Sequence, residues 1–119
     1  NDREQVLELA KEFPVWVSKV TDLPKASEMI VAVGELTATN SRAKEITQQL
    51  EASFSTLAQF ASRRALYLIW RKPYMASGGD TFIHSMLLAS GFTNDLADQA
   101  RYPSLSDDEI QALAPEVIL

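Results

Sequence analysis

Few residues in this 119-residue chain are of types that do chemistry, and they fall into four groups. His84, the sole histidine, stands four residues after Asp80 on one helical turn, so the two are spaced to share a metal ion. Two ligands do not make a site, and nothing beside them orients a nucleophile for a Ser-His-Asp relay. Gly78-Gly79-Asp80-Thr81 leads into a helix N-terminus, where backbone amides attract anions. It lacks the Walker lysine and the three-glycine dinucleotide pattern, so a turn followed by a cap is the simpler reading. The third group is Trp70, Arg71, Lys72, Pro73, Tyr74 and Met75, with Tyr102 further along. Flat aromatic faces suit a conjugated ligand, two cations suit an anionic one, and proline stiffens the loop. The alternative is an aromatic hinge packed on its neighbours. The fourth group, Asp107, Asp108 and Glu109, puts three carboxylates in one helical turn. There they either cap the helix or form an acidic knob that docks to arginine on a partner.

These residues need elements to hold them. Val6, Leu7, Leu9, Ala10 and Phe13 form the apolar stripe of a helix over residues 2–13, which Pro14 ends. Pro14-Val15-Trp16-Val17 then reads as a short buried strand. Asp22 and Pro24 open a second, short helix ending near Gly34. The longest stripe is Ala43, Ile46, Leu50, Phe54, Leu57 and Ala61, which predicts a helix from Asn40 to Arg64, roughly 35 Å long. Ala65 to Trp70 is a continuous apolar run between arginines, as in a buried central strand, and a loop follows from Arg71 to Gly79. Asp80 is expected to cap the next helix, whose stripe is Phe82, Ile83, Met86 and Leu87, with Gly91 left-handed at its end. Ser106 and Glu109 make a capping box, Pro115 stops that helix, and Glu116 to Leu119 begins another strand. Strand, helix and strand in this order make parallel βαβ units, so the fold class is α/β.

Composition narrows the partners. A length of 119 residues with 46% hydrophobic side chains sets a ceiling of one ordinary domain. No 18-residue apolar run is present to span a membrane as a helix. The net charge of -5 argues against nucleic acid, which is bound by clustered Lys and Arg. With no cysteine there is no thiolate chemistry and no disulfide.

The order and spacing of several segments resemble periplasmic substrate-binding proteins of ABC importers for ferric siderophores, haem and cobalamin. The segments are Leu66 to Trp70, Pro73-Tyr74, Gly78 to Ile83, Gly91 with Asn94, Tyr102-Pro103, Ser106 to Ile110 and Pro115 to Leu119. Upstream, Pro14 to Val17 looks like the last strand of that family's N-terminal lobe, and Met29 to Leu36 resembles the segment before its interlobe helix. The resemblance implies two Rossmann-like lobes joined by a spine helix, with this chain incomplete at both ends. Residues 1–38 would close the N-terminal lobe, 39–64 form the spine, and 65–119 begin the C-terminal lobe.

The function implied is non-enzymatic: capture of a metal chelate or corrinoid between the lobes and its delivery to an ABC permease in the inner membrane. The protein would be periplasmic, or lipid-anchored on the outer face of the cytoplasmic membrane, and monomeric at full length, with no cofactor besides the cargo. By resemblance, Trp70, Arg71, Lys72, Tyr74, Met75 and Tyr102 contact the ligand. Asp108 falls on the carboxylate that docks to a permease arginine, with Glu109 adjacent, and either acid can serve. Half of the ligand site lies outside the sequence, so these 119 residues alone are expected to bind weakly or not at all. The alternative is a free-standing α/β interaction domain using residues 70–75 and the acidic corner 107–109.

Overall fold

The computed structural model describes residues 3–57 and 61–119. Three helices come first: α1 (Arg3–Leu9), α2 (Leu23–Leu36) and α3 (Asn40–Ser55). The rest alternates strand and helix: β1 (Arg63–Leu66), β2 (Leu68–Trp70), β3 (Tyr74–Ala76), α4 (Phe82–Ala89), β4 (Phe92–Asn94), β5 (Ser104–Leu105), α5 (Asp107–Leu113) and β6 (Val117–Ile118). The α/β class is observed, with two small sheets. One is parallel, in the order β4-β1-β6; the other is antiparallel, in the order β2-β3-β5. The chain is flat and extended, with a radius of gyration of 17.9 Å against roughly 13–14 Å for a compact chain of this length.

The helical part follows its caps. Asp22 Oδ1 accepts from Lys25 N at 2.8 Å and Pro24 fills the first turn, so α2 starts where expected. It does not end at Gly34. It runs on to Leu36, and the left-handed stop is Ala38, at φ 56°, beside a Thr39 N to Gly34 O bond of 2.7 Å. Gly34 serves packing instead: a Cβ there would lie 2.5 Å from the Cβ of Ala43, so its bare backbone is what lets α3 close on α2. Helix α3 is shorter than its stripe. It ends at Ser55, about 24 Å along, rather than at Arg64, which belongs to β1. Ser53, Ser55 and Thr56 turn their hydroxyls back onto the carbonyls of Gln49, Ala52 and Ser53, which competes with helix propagation. Residues 58–60 of that expected helix, and residue 2 of the first, lie outside the described residues. Pro14 to Val17 is no strand, because none of the described strands runs beside it to take its hydrogen bonds. Trp16 and Val17 are accordingly exposed.

The expected central strand divides between two sheets. Ala65 and Leu66, both fully buried, pair with β4 and β6. At Tyr67 the backbone passes to the other sheet, where Ser77 N donates to Tyr67 O at 3.0 Å. The expected loop from Arg71 to Gly79 therefore contains β3, and β2 and β3 form a hairpin around a cis Lys72-Pro73 bond. Leu66, Ala76 and Leu96 form the core, with Leu68, Leu105, Ile110 and Leu113 packed against it. Arg64 ties the edges together: its Nε donates to Asp95 Oδ1 at 2.7 Å, and Nη2 donates to the carbonyls of Leu113 and Ala114. The hydrogen bond and then the charge of Asp95 favour the protonated guanidinium.

Gly34→Ala forces α2 and α3 apart and is expected to cost about 1–3 kcal/mol, the range for overpacking a close contact. A urea midpoint unchanged from the parent would show that the helices separate freely.

Candidate functional site

The hairpin sorts its residues by face. Leu68 stands opposite Ala76, and Trp70 opposite Met75, so β2 advances two residues while β3 advances one. Without that bulge Trp70 would face Tyr74. With it, Trp70 shares a face with Met75, since directly paired residues project to the same side. Beyond β3 the ladder continues through Ala76 N to Pro103 O at 3.0 Å and Gly78 N to Arg101 O at 2.8 Å. This register sets Tyr102 opposite Ser77, two residues from Met75 and on the same face. Trp70, Met75 and Tyr102 thus share the outer face, where Trp70 is 64% and Tyr102 40% exposed. Arg71 and Lys72 occupy the exposed hairpin tip, and none of the ion pairs among the described residues engages them.

Tyr74 is different. It alternates with Met75 and lies on the inner face, lining a cleft of ≈ 380 Å³ with Leu68, Asp107, Ile110 and Ile118. Five of the six expected ligand residues therefore come together on the outer face and tip, and Tyr74 packs toward α5. The period-2 pattern separates Tyr74 from Met75 in any strand; what the sequence does not signal is the bulge that turns Trp70 outward.

The glycine turn is occupied by the protein's own backbone. Gly78 N and Gly79 N donate to Arg101 O and Gln99 O, each at 2.8 Å, so the amides a phosphate would need are taken. A Cβ on Gly79 would lie 1.9 Å from Ala97 O. The cap of α4 is Thr81, whose Oγ1 accepts from His84 N at 3.1 Å. Asp80, expected in that role, instead accepts from Arg101 N. Gly91 has the expected left-handed backbone, at φ 82°.

The acidic corner resolves into two roles. Glu109 closes the capping box, its Oε2 accepting from Ser106 N at 2.7 Å and Ser106 Oγ at 2.8 Å. Those bonds, the backbone one first, hold its carboxyl below its ordinary range. Asp107 and Asp108 are exposed in the same turn, and none of the ion pairs among the described residues includes them.

No family model and no curated relative matches the chain. Solved structures do. A possible iron-binding periplasmic solute-binding protein from Staphylococcus epidermidis superposes with a TM-score of 0.80 at 20% identity, covering 97% of this chain and 48% of that one. The periplasmic vitamin B12-binding protein BtuF of Vibrio cholerae gives 0.77 at 18% identity, covering 99% and 49%. A structure described as an ABC-type Fe3+-hydroxamate transport system from Saccharomonospora viridis gives 0.76 at 23% identity, covering 98% and 44%. The fold is that of about half of a periplasmic solute-binding protein. Other neighbours with this binding-protein fold are periplasmic haem-binding proteins. The chain spans about half the length of the structures it matches.

Two measurements check the site. Tyr74→Ala is expected to lower stability by about 1–3 kcal/mol through lost packing on α5, whereas Tyr102→Ala stays within about 0.5 kcal/mol. Equal costs in chemical denaturation would contradict the assignment of faces. Because the folded-state pKa of Glu109 is depressed, its capping contribution is full above the ordinary carboxylate range. It is lost as pH falls through the lower, folded-state titration. Glu109→Gln should therefore destabilise at pH 7 and converge with the parent in acid; a pH-independent gap between the two would refute the linkage.

Proposed function

We propose that this chain is the central part of a substrate-binding component of an ABC importer, which captures a metal chelate or corrinoid between two lobes. In this reading residues 1–38 close the N-terminal lobe, α3 is the spine between the lobes, and residues 65–119 begin the C-terminal lobe. The observation that carries it is the outer face of the hairpin. An exposed tryptophan and tyrosine flank Met75 beside two cations that enter none of the ion pairs among the described residues, on a sheet whose fold is that of carriers for such cargo. Large aromatic faces left in water mark a binding surface, and here the bulge spends a ladder hydrogen bond to put one there. Trp70 and Tyr102 stack on the cargo, and Arg71 and Lys72 meet its anionic groups. Tyr74 supports the hairpin from below.

Delivery follows from the acidic corner. Glu109 is committed to the cap, which leaves Asp108 as the carboxylate that docks to a permease arginine, with Asp107 beside it. The cargo is a ferric siderophore, haem or cobalamin, since solved structures with this fold are described as a possible iron-binding protein, an Fe3+-hydroxamate transport system, a haem-binding protein and a vitamin B12-binding protein. The site of action is periplasmic, free or lipid-anchored.

Isothermal titration of the intact gene product with a ferric siderophore, haemin and cyanocobalamin should give saturable binding to one of them. Trp70→Ala with Tyr102→Ala should weaken it by about tenfold or more at unchanged stability, stacking being worth roughly 1 kcal/mol or more per ring. Silence toward all three, or binding indifferent to the double variant, would reject the reading.

A further inference from the structure

A second cleft, of ≈ 440 Å³, lies between the segment before α2 and the start of α4, with Lys19, Thr21, Asp22, Asp80, His84 and Ser85 in its wall. Its wall is tied to the segment that carries Tyr102, since Asp80 accepts from the amide of Arg101, the residue before it. Beneath it is a buried polar network. Asn94, 3% exposed at the end of β4, donates from Nδ2 to Ser77 O at 3.0 Å and accepts at Oδ1 from Leu96 N at 3.0 Å. Both partners are backbone groups whose donor or acceptor character is fixed, so the amide has only one orientation. Its NH2 then faces His84 Nδ1 at 3.3 Å. A nitrogen that receives a hydrogen bond carries no proton, so His84 is the Nε2–H tautomer. With Nδ1 taken by Asn94, Nε2–H is the hydrogen-bonding group that His84, in the cleft wall, has left to give.

We infer that His84 is a hydrogen-bond donor locked by Asn94, and that its cleft takes a neutral oxygen acceptor of the cargo, an amide or hydroxamate carbonyl, in place of a metal ion or a carboxylate. This rests on the transport reading. Metal ligation through Nε2 needs the proton on Nδ1 and an acceptor facing it, and Asn94 presents a donor there. The charges point the same way. Asp22 and Asp80 outnumber Lys19, and both are held in place as acceptors of backbone amides, so an incoming carboxylate meets net negative charge. Haem, with two carboxylates and an iron that takes axial protein ligands, suits this cleft poorly. A neutral ferric trihydroxamate, or a corrinoid with its rim of amides, suits it well. Asn94 is the positioning residue.

Two-bond 1H–15N correlation of 15N-labelled protein should show His84 as the Nε2–H tautomer, and Asn94→Asp should move the proton to Nδ1. An Nδ1–H ring in the parent overturns the inference whatever the cargo. Titration of the intact gene product with ferrichrome, cyanocobalamin and haemin supplies the second arm, in which binding of ferrichrome or cyanocobalamin is expected. His84→Ala should weaken that binding about tenfold and His84→Gln, which keeps a donor near the ε position, should restore most of it. Haemin bound with a histidine-ligated Soret spectrum that His84→Ala abolishes overturns it, as does cargo binding indifferent to His84→Ala. Binding of none of the three probes rejects the transport reading and the cargo assignment with it, while the tautomer spectrum still decides the role of His84.

Discussion

Every structural feature of the α/β half depends on how one backbone segment distributes its hydrogen bonds. From Arg63 to Leu66 the chain pairs with β4 and β6; from Leu68 to Trp70 it pairs with β3. The handover is confined to Tyr67, where Leu119 bridges both sides, donating to Leu66 O at 3.0 Å and accepting from Leu68 N at 2.9 Å. Buried peptide groups must find partners, so an apolar run of this length between two sheets has to switch sheets within one residue. The parallel sheet receives the buried half and carries α4. The antiparallel sheet receives the other half and projects it outward.

That division lets exposed aromatics and buried core occupy neighbouring residues without conflict. Leu66 and Ala76 are fully buried, while Trp70, a few residues on, is mostly in water. The bulge in β2 is the device that separates them. It moves Trp70 from the face of Tyr74 to that of Met75, adding an aromatic to a surface that Tyr102 extends. The same division recurs at the acidic corner, where Glu109 completes the cap while Asp107 and Asp108 enter none of the ion pairs among the described residues.

Much of this was legible from the residues. The capping box at Ser106 and Glu109, the Asp22 cap, the left-handed Gly91 and the strand after Pro115 are local signals, decided within a turn or two of the chain, and each appears as expected. Most of the misreadings are cases where a distant partner decides. Pro14 to Val17 has strand composition but no described strand alongside it. The stripe that runs past Ser55 is overridden by hydroxyls bonding back to the helix and by the pairing of Arg63 with Phe92 of β4. Gly34 looks like a helix stop and is a contact point for α3. Of the candidate site, the alternation that separates Tyr74 from Met75 is readable in the sequence, whereas the bulge that turns Trp70 to the face of Met75 and the Asn94–His84 bond follow from a register that only the folded sheet sets.

The central claim is that the face bearing Trp70 meets the cargo. With two tryptophans in the chain, Trp16→Phe leaves Trp70 as the sole indole of this segment, and its fluorescence reports on that face directly. In the intact gene product, with any other tryptophans replaced, titration with a ferric siderophore, cyanocobalamin or haemin should quench Trp70 emission saturably and shield it from acrylamide. An emission spectrum and acrylamide accessibility unchanged at saturating cargo would contradict the account.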